Sequence, residues 1–350
     1  MTANKPLTDG ILSRFYIERA FPESKKKHAE QIVATIKNAF KDTIRNTKWM
    51  SERTQVRSIE KLDLMVSKIG YSSHNPDLRS PSSVYDYYRL LPISVTSYFT
   101  NIISSSRFKT RQNWQQVGAR PGPHSRWDRT ATSFNAYYNR EHNEIVIPAG
   151  FMQEPAFYGP EVPSYLTYGA FGAIVGHEIS HAFDSTGRYY DSSGARTDWW
   201  DTGSAAEFDN RTQCFIEQYD QFTILGDKVD PSTSFSVDGH LTLDENLADY
   251  SGLHAAFAAY QAHELLYPSK LLPGLAAYSR EQLFFLAYGR YWCEKNRKQI
   301  LLWRLKNDPH APNFARVQGA VANELGFGAA WKCAGKSQFE NKWVPRCVLW

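Results

Sequence analysis

Residues 168–183, which read YGAFGAIVGHEISHAF, constrain this chain more than any other stretch. Phe171, Ile174, Val175, Ile179 and Ala182 recur at spacings of three and four, which predicts a helix with one apolar face. His177 and His181 lie four apart, so their rings project from the same side, one turn from each other. Glu178 follows the first histidine and reaches past it toward whatever both rings hold. Two neutral imidazoles in this H-E-x-x-H spacing bind Zn²⁺, and the glutamate serves as general base. A solvated helix that carries two histidines by chance fits the same letters.

A catalytic zinc keeps three protein ligands and one open position, so a third ligand must come from elsewhere. Residues 244–249 read DENLAD, and the run continues apolar through Leu253, Ala256, Phe257 and Tyr260. Glu245 and Asp249 are four apart on this predicted helix. A lone buried charge is costly, so two carboxylates facing one way on an apolar helix ask for a cation. Glu245 as third ligand, with Asp249 accepting the free N–H of a metal-bound ring, satisfies both. A solvated acidic face is the other reading of this pair.

Hydrophobic residues make up 42% of the 350 and charged ones 22%, enough to bury a core and too apolar for a disordered chain. The net charge of +4 is small, and the cluster Lys25, Lys26, Lys27 stands alone, so it reads as a solvated helix face and not as a nucleic-acid patch. No run reaches transmembrane length, and the opening MTANKPLTDG lacks the apolar stretch of a signal peptide. Residues 15–70 read as helical, with Ile32, Val33, Ile36, Phe40 and Ile44 on one face and a second helix over 51–69 using Ile59, Leu62, Leu64 and Val66. A loop spans 71–83, a helix interrupted near Pro92 spans 85–106, and 107–129, with PGP at 121–123, reads as a connector. Residues 134–138 and 144–147 flank a turn at 140–143 and predict a hairpin, whose edge could pair with a peptide backbone. Residues 271–303 predict further packed helix. The spacing of the four cysteines, Cys214, Cys293, Cys333 and Cys347, fits no zinc ribbon. One N-glycosylation sequon starts at Asn210.

HEISH followed at a distance by ENLAD resembles the neprilysin and endothelin-converting-enzyme family of zinc endopeptidases. NAYYN at 135–139, IVIPAG at 145–150, FD at Phe183 and Asp184, and DWW at 198–200 match in the same order. The H-x-P-x-x-x-R run from His310 to Arg316 and the final C-x-x-W at 347–350 complete the set. The resemblance covers about residues 15–350 and is densest from Asn135 onward. It implies a mainly α fold with a small β-sheet (α+β), a thermolysin-like zinc peptidase lobe preceded by part of a helical domain. Residues 1–130 would be that partial domain and a connector, and 131–350 the catalytic domain.

The resemblance also implies one zinc per chain on His177, His181 and Glu245, with Glu178 as base and Asp249 orienting a ligand ring. His310 would donate to the developing oxyanion and Arg316 would bind a substrate carbonyl; apart from the family they read as a loop histidine and a surface arginine. The Asn135 side chain and Ala136 backbone would hold the peptide, although apart from the family Asn135 reads more readily as closing a turn. Phe151, Ile174 and Trp292 would line the pocket for the residue after the scissile bond, giving cleavage on the amino side of hydrophobic residues. Arg140, where relatives often carry proline, and the small Ala156, where a relative has an aromatic, depart from the pattern. Cys214 is expected to pair with Cys347, while Cys293 and Cys333 resemble cysteines whose partners lie upstream of this chain. Peptide substrates and an extracellular or membrane-associated setting follow. Without the upstream half, the chain is expected to be a weak or inactive enzyme, and an inactive truncated homologue acting as a peptide- or protein-binding module is the alternative. A zinc peptidase of another clan and a structural zinc protein are the remaining readings.

Overall fold

The computed structural model describes residues 9–118, 126–225, 234–333 and 346–350; the PGP tract at 121–123 lies outside them. Helices α1 (Asp9–Ala20), α2 (Glu23–Asn46) and α3 (Glu52–Leu64) lead into strand β1 (Val66–Gly70). Helices α4 (Pro81–Tyr88) and α5 (Tyr98–Trp114) precede strands β2 (Tyr137–Asn139) and β3 (Glu144–Pro148). A short α6 (Ser164–Thr167), a π-helical turn (Tyr168–Gly172) and α7 (Ala173–Ser180) run on without a break. Next come α8 (Thr202–Asp220), the strands β4 (Thr223–Leu225) and β5 (Ser234–Ser236), and α9 (Leu243–Leu266). Helices α10 (Arg280–Tyr291), α11 (Lys298–Asn307), α12 (Asn313–Asn323) and α13 (Leu325–Ala330) complete the described elements. The fold is mainly helical with little sheet, as expected. One sheet has the order β1–β3–β2, and β4 pairs antiparallel with β5, Thr223 opposite Ser236.

The chain divides into two compact units, residues 1–27, 66–137 and 146–152 in the first and 28–65, 138–145 and 153–350 in the second. In the first, Phe21 packs edge-on against Tyr71, whose hydroxyl donates to Glu23 at 2.8 Å. The helix expected over 85–106 is two helices, each opened by a serine that caps its first turn, Ser80 and Ser97. The second continues to Trp114, well into the stretch read as a connector, because neither glycine nor proline interrupts it. The helix expected over 51–69 stops at Leu64. Leu64 is exposed, and residues 66–70 run extended and increasingly buried as β1.

The second unit carries the histidine helix. The apolar face predicted on α2 is buried as read, with Ile32, Val33, Ile36, Phe40 and Ile44 all inside. Helical geometry on α7 ends at His181, so Ala182 and Phe183 belong to the turn that follows. Every residue of α7 is buried, and α9 lies along it so closely that the backbones meet at Gly176 and Gly252. The predicted helix over 271–303 is instead α10 and α11 with a break between them. Helix α10 buries Leu283, Phe284, Phe285 and Tyr288, stacking Phe284 on Tyr260 of α9, whereas α11 buries no residue.

Candidate metal centre

Helix spacing brings His177 and His181 together, and the approach of α9 adds Glu245. One ligand atom from each of the three lies within 4.8 Å of the others. The two Nε2 atoms are 3.1 Å apart, with the rings at right angles. Two imidazole nitrogens on one tetrahedral zinc lie about 3.3 Å apart, given Zn–N bonds of about 2.0–2.1 Å. Glu245 Oε2 lies 3.2 Å from both His177 Nε2 and His310 Nε2, yet it is buried without a hydrogen bond of acceptable geometry. Three donors turned inward on one point, His177 buried and His181 and Glu245 half-buried, fit a cation, the more so as one carboxylate oxygen there is unsatisfied.

The atoms facing away from that point are all held. His177 Nδ1 meets Asp249 Oδ1 at 2.9 Å, and His181 Nδ1 meets Asp184 Oδ2 at 2.7 Å. Each contact fixes a tautomer with the proton on Nδ1 and the lone pair on Nε2. Asp249 also accepts from Arg316, whose Nε and Nη2 donate at 2.6 and 2.8 Å, and the guanidinium lies 4.0 Å over the Trp292 ring. His310 Nδ1 meets Asp308 Oδ1 at 2.7 Å, and Asp308 in turn accepts from Arg304 Nε at 3.0 Å.

The electrostatics follow from this packing. Burial pushes the His177 pKa down, but the neighbouring carboxylates of Asp249 and Glu245 prevail and lift it to about 10. Burial likewise opposes ionisation of Glu245, and the nearby rings of His177, His310 and His181 still hold its carboxyl well below the usual range. Asp249 is held down against its burial, chiefly by Arg316. A metal entering this centre therefore displaces protons from a network that already carries compensating charge.

Glu178 is 7% exposed, and its side chain makes no hydrogen bond to another described residue. Ile174 is buried on α7, three residues before His177, and Trp292 closes α10 half-buried beneath Arg316. Asn135, Ala136 and Phe151 belong to the first unit; Asn135 is exposed, and Ala136 and Phe151 are buried. The expected hairpin is present but shorter on its first side, since β2 begins at Tyr137 and leaves 134–136 outside the strand. Cys214 and Cys347 form a disulfide, and Cys293 and Cys333 are free.

The pattern of peptidase family M13 matches residues 135–347, and a second pattern of the same family matches residues 6–72. The chain belongs to peptidase family M13. Among curated relatives it is 34% identical to Neprilysin-11 of Caenorhabditis elegans over 346 residues, 99% of this chain and 39% of that protein. It is also 34% identical to human Endothelin-converting enzyme 1 over 340 residues, 97% of this chain and 42% of that protein. The chain thus spans less than half the length of these relatives. The zinc metalloprotease Zmp1 of Mycobacterium tuberculosis, solved with an inhibitor, superposes with a TM-score of 0.78 at 31% identity, covering 93% of this chain and 47% of the other. PepO of Lactobacillus rhamnosis superposes with a TM-score of 0.75 at 28% identity, covering 93% and 47%.

Sequence reasoning gave no role to Asp184, Asp308 or Arg304. Asp184 enters the sequence pattern only as part of the FD pair, and its place three residues after His181 is the available signal. Asp308 stands two residues before His310, close enough for a side chain to bond its own loop.

Proposed function

We propose that this chain is a zinc-dependent endopeptidase that hydrolyses oligopeptides on the amino side of hydrophobic residues, with residues 131–350 as its catalytic domain. The observation that carries this reading is the convergence of His177 Nε2, His181 Nε2 and the Glu245 carboxylate, each held from behind, with an unengaged Glu178 on the same helix. Bound there, one zinc per chain supplies Lewis acidity to a peptide carbonyl and to water. Glu178 takes the proton of the attacking water and passes it to the leaving nitrogen. Asp249 keeps the His177 lone pair on Nε2.

His310, pinned through Nδ1 by Asp308, presents its Nε2 on the Glu245 side of the site, where the second N–H of the protonated ring would stabilise a developing oxyanion. Arg316 spends Nε and Nη2 on Asp249, which leaves Nη1 for a substrate carbonyl. Within the unit that carries the metal ligands, Ile174 and Trp292 contribute to the pocket that selects the hydrophobic residue. The placement of Ile174 one turn from His177 supports the pocket. The Cys214–Cys347 disulfide supports an oxidising, secretory setting, and no helix among the described residues is long and apolar enough to cross a membrane.

The test combines metal analysis with hydrolysis of a fluorogenic peptide by the purified chain. One zinc per chain is expected, with turnover abolished by a chelator and restored by zinc, and with hydrophobic residues at the new amino termini. Charged residues there would overturn the specificity. Zinc and peptide bound without turnover would favour the binding-module reading, and a chain that takes up no zinc would end both.

A further inference from the structure

Lys61 sits on α3 with no exposed surface at all. Its Nζ donates to the carbonyl oxygens of Ala182 at 2.7 Å, of Gly187 at 2.9 Å, and of Tyr190. An ammonium has three N–H donors, and three carbonyls take them. The backbone of the same residue is held as well: Asn143 Nδ2 donates to Lys61 O at 2.9 Å and to Ser192 O at 3.0 Å. Head and backbone of Lys61 thus grip one turn, residues 182–192. Burial draws its pKa down to about 7 against the pull of Asp184 and Asp191, and no carboxylate among the described residues bonds it. A buried cation is a poor way to gain stability alone, since apolar residues of similar volume often do better.

That turn is the one by which the chain leaves the histidine helix. Asp184 Oδ1 accepts the backbone N–H groups of Thr186 at 2.9 Å and Gly187 at 2.5 Å, leaving Oδ2 for His181 Nδ1 at 2.7 Å. Gly187 is therefore held from both sides, its N–H by Asp184 and its carbonyl by Lys61. A Cβ on Gly187 would fall 1.8 Å from the His181 carbonyl oxygen, so the turn closes directly on the backbone of that histidine. The connection from Lys61 through Gly187 and Asp184 to the His181 ring is unbroken.

We propose that Lys61 is a positioning residue for the metal centre, fixing the turn carbonyls so that Asp184 holds His181 with Nε2 aimed at the metal. This rests on the reading of His177, His181 and Glu245 as zinc ligands. The test is a set of zinc affinities, measured by chelator competition, for the natural protein, Lys61→Met, Asp184→Asn and the double variant, each checked for folding by circular dichroism. Lys61→Met is expected to weaken zinc binding about tenfold to a hundredfold, the range for loss of an outer-shell partner. The double variant should be no weaker than its worse parent, because both changes act through one ring. Lys61→Gln, which keeps two N–H donors, should recover part of the loss. Unchanged affinity in a folded Lys61→Met, or additive losses in the double variant, would overturn the proposal. Failure of both Lys61 variants to fold would overturn it too, by making Lys61 a folding residue. Undiminished zinc binding by His181→Ala would instead sink the ligand assignment itself, and this inference with it.

Discussion

Gly176 on α7 and Gly252 on α9 face each other so closely that neither has room for a side chain. A Cβ on Gly176 would fall 2.6 Å from the Gly252 carbonyl oxygen, and one on Gly252 would fall 2.4 Å from the His177 amide nitrogen. Helix axes usually stand about 8–10 Å apart, with side chains between them. Removing both side chains lets Glu245 and Asp249 reach the imidazole of His177 with short carboxylate arms.

Gly252→Ala should therefore force the two helices apart at the centre itself. The expected cost is about 1–3 kcal/mol of stability, the usual range for overpacking a dense core. Zinc affinity should fall together with stability. Thermal melts with and without zinc check this, and an alanine variant with an unchanged melting temperature and unchanged zinc affinity would refute the close-contact argument.

Glu245 and Glu178 separate metal binding from proton transfer. Glu245→Gln should lose zinc strongly, because a neutral amide replaces the carboxylate that meets His177 at 3.2 Å and His181 at 3.7 Å. Glu178→Gln should keep zinc and lose turnover, since its side chain bonds none of the three proposed ligands. Equal metal loss in both variants would sink the roles assigned here.

Asp201 caps α8 and ties it to α3. Its carboxylate accepts from Ser204 N at 2.9 Å, Ser204 Oγ at 2.7 Å, Thr54 Oγ1 at 2.6 Å and Ser51 Oγ. Those hydrogen bonds, Ser51 and Thr54 first, hold its pKa below the ordinary carboxyl value. A folded-state pKa depressed in this way contributes stability above the unfolded value of about 3.9, lost as the pH falls through the folded value. Asp201→Ala should cost about 1 kcal/mol at neutral pH, and the deficit should shrink in denaturant titrations run below about pH 4. A deficit independent of pH would refute the charge argument.

The cysteines give a direct count. Thiol titration of the native chain should find two reactive groups, Cys293 readily because it is exposed and Cys333 more slowly because it is half-buried. Cys347→Ser opens a link that spans 133 residues and should lower stability by about 2–5 kcal/mol. Four free thiols, or none, in the native protein would contradict the pairing.

The sequence by itself determined what short-range periodicity encodes. The spacing of His177, Glu178 and His181 placed two imidazoles on one side of a helix, and the α2 face from Ile32 to Ile44 is buried as its period required. Glu245 and Asp249 were legible too, because two carboxylates on an apolar helix need an explanation. Boundaries were less legible. Val66 and Ile69 suit a strand as well as a helix, so the end of α3 was set by which side of the chain became buried.

Only the tertiary structure decided which partner stands behind each ligand. Asp184 reaches His181 because the turn after α7 bends back, and Lys61, more than a hundred residues upstream, fixes that turn by a contact no local pattern encodes. The family resemblance implies a substrate contact for Arg316, yet in the fold two of its donors bind Asp249. The physical reason is the same in each case. Helix period is a property of neighbouring residues, whereas hydrogen bonds behind a site join segments whose meeting depends on how closely the helices pack, and here two glycines allow that approach.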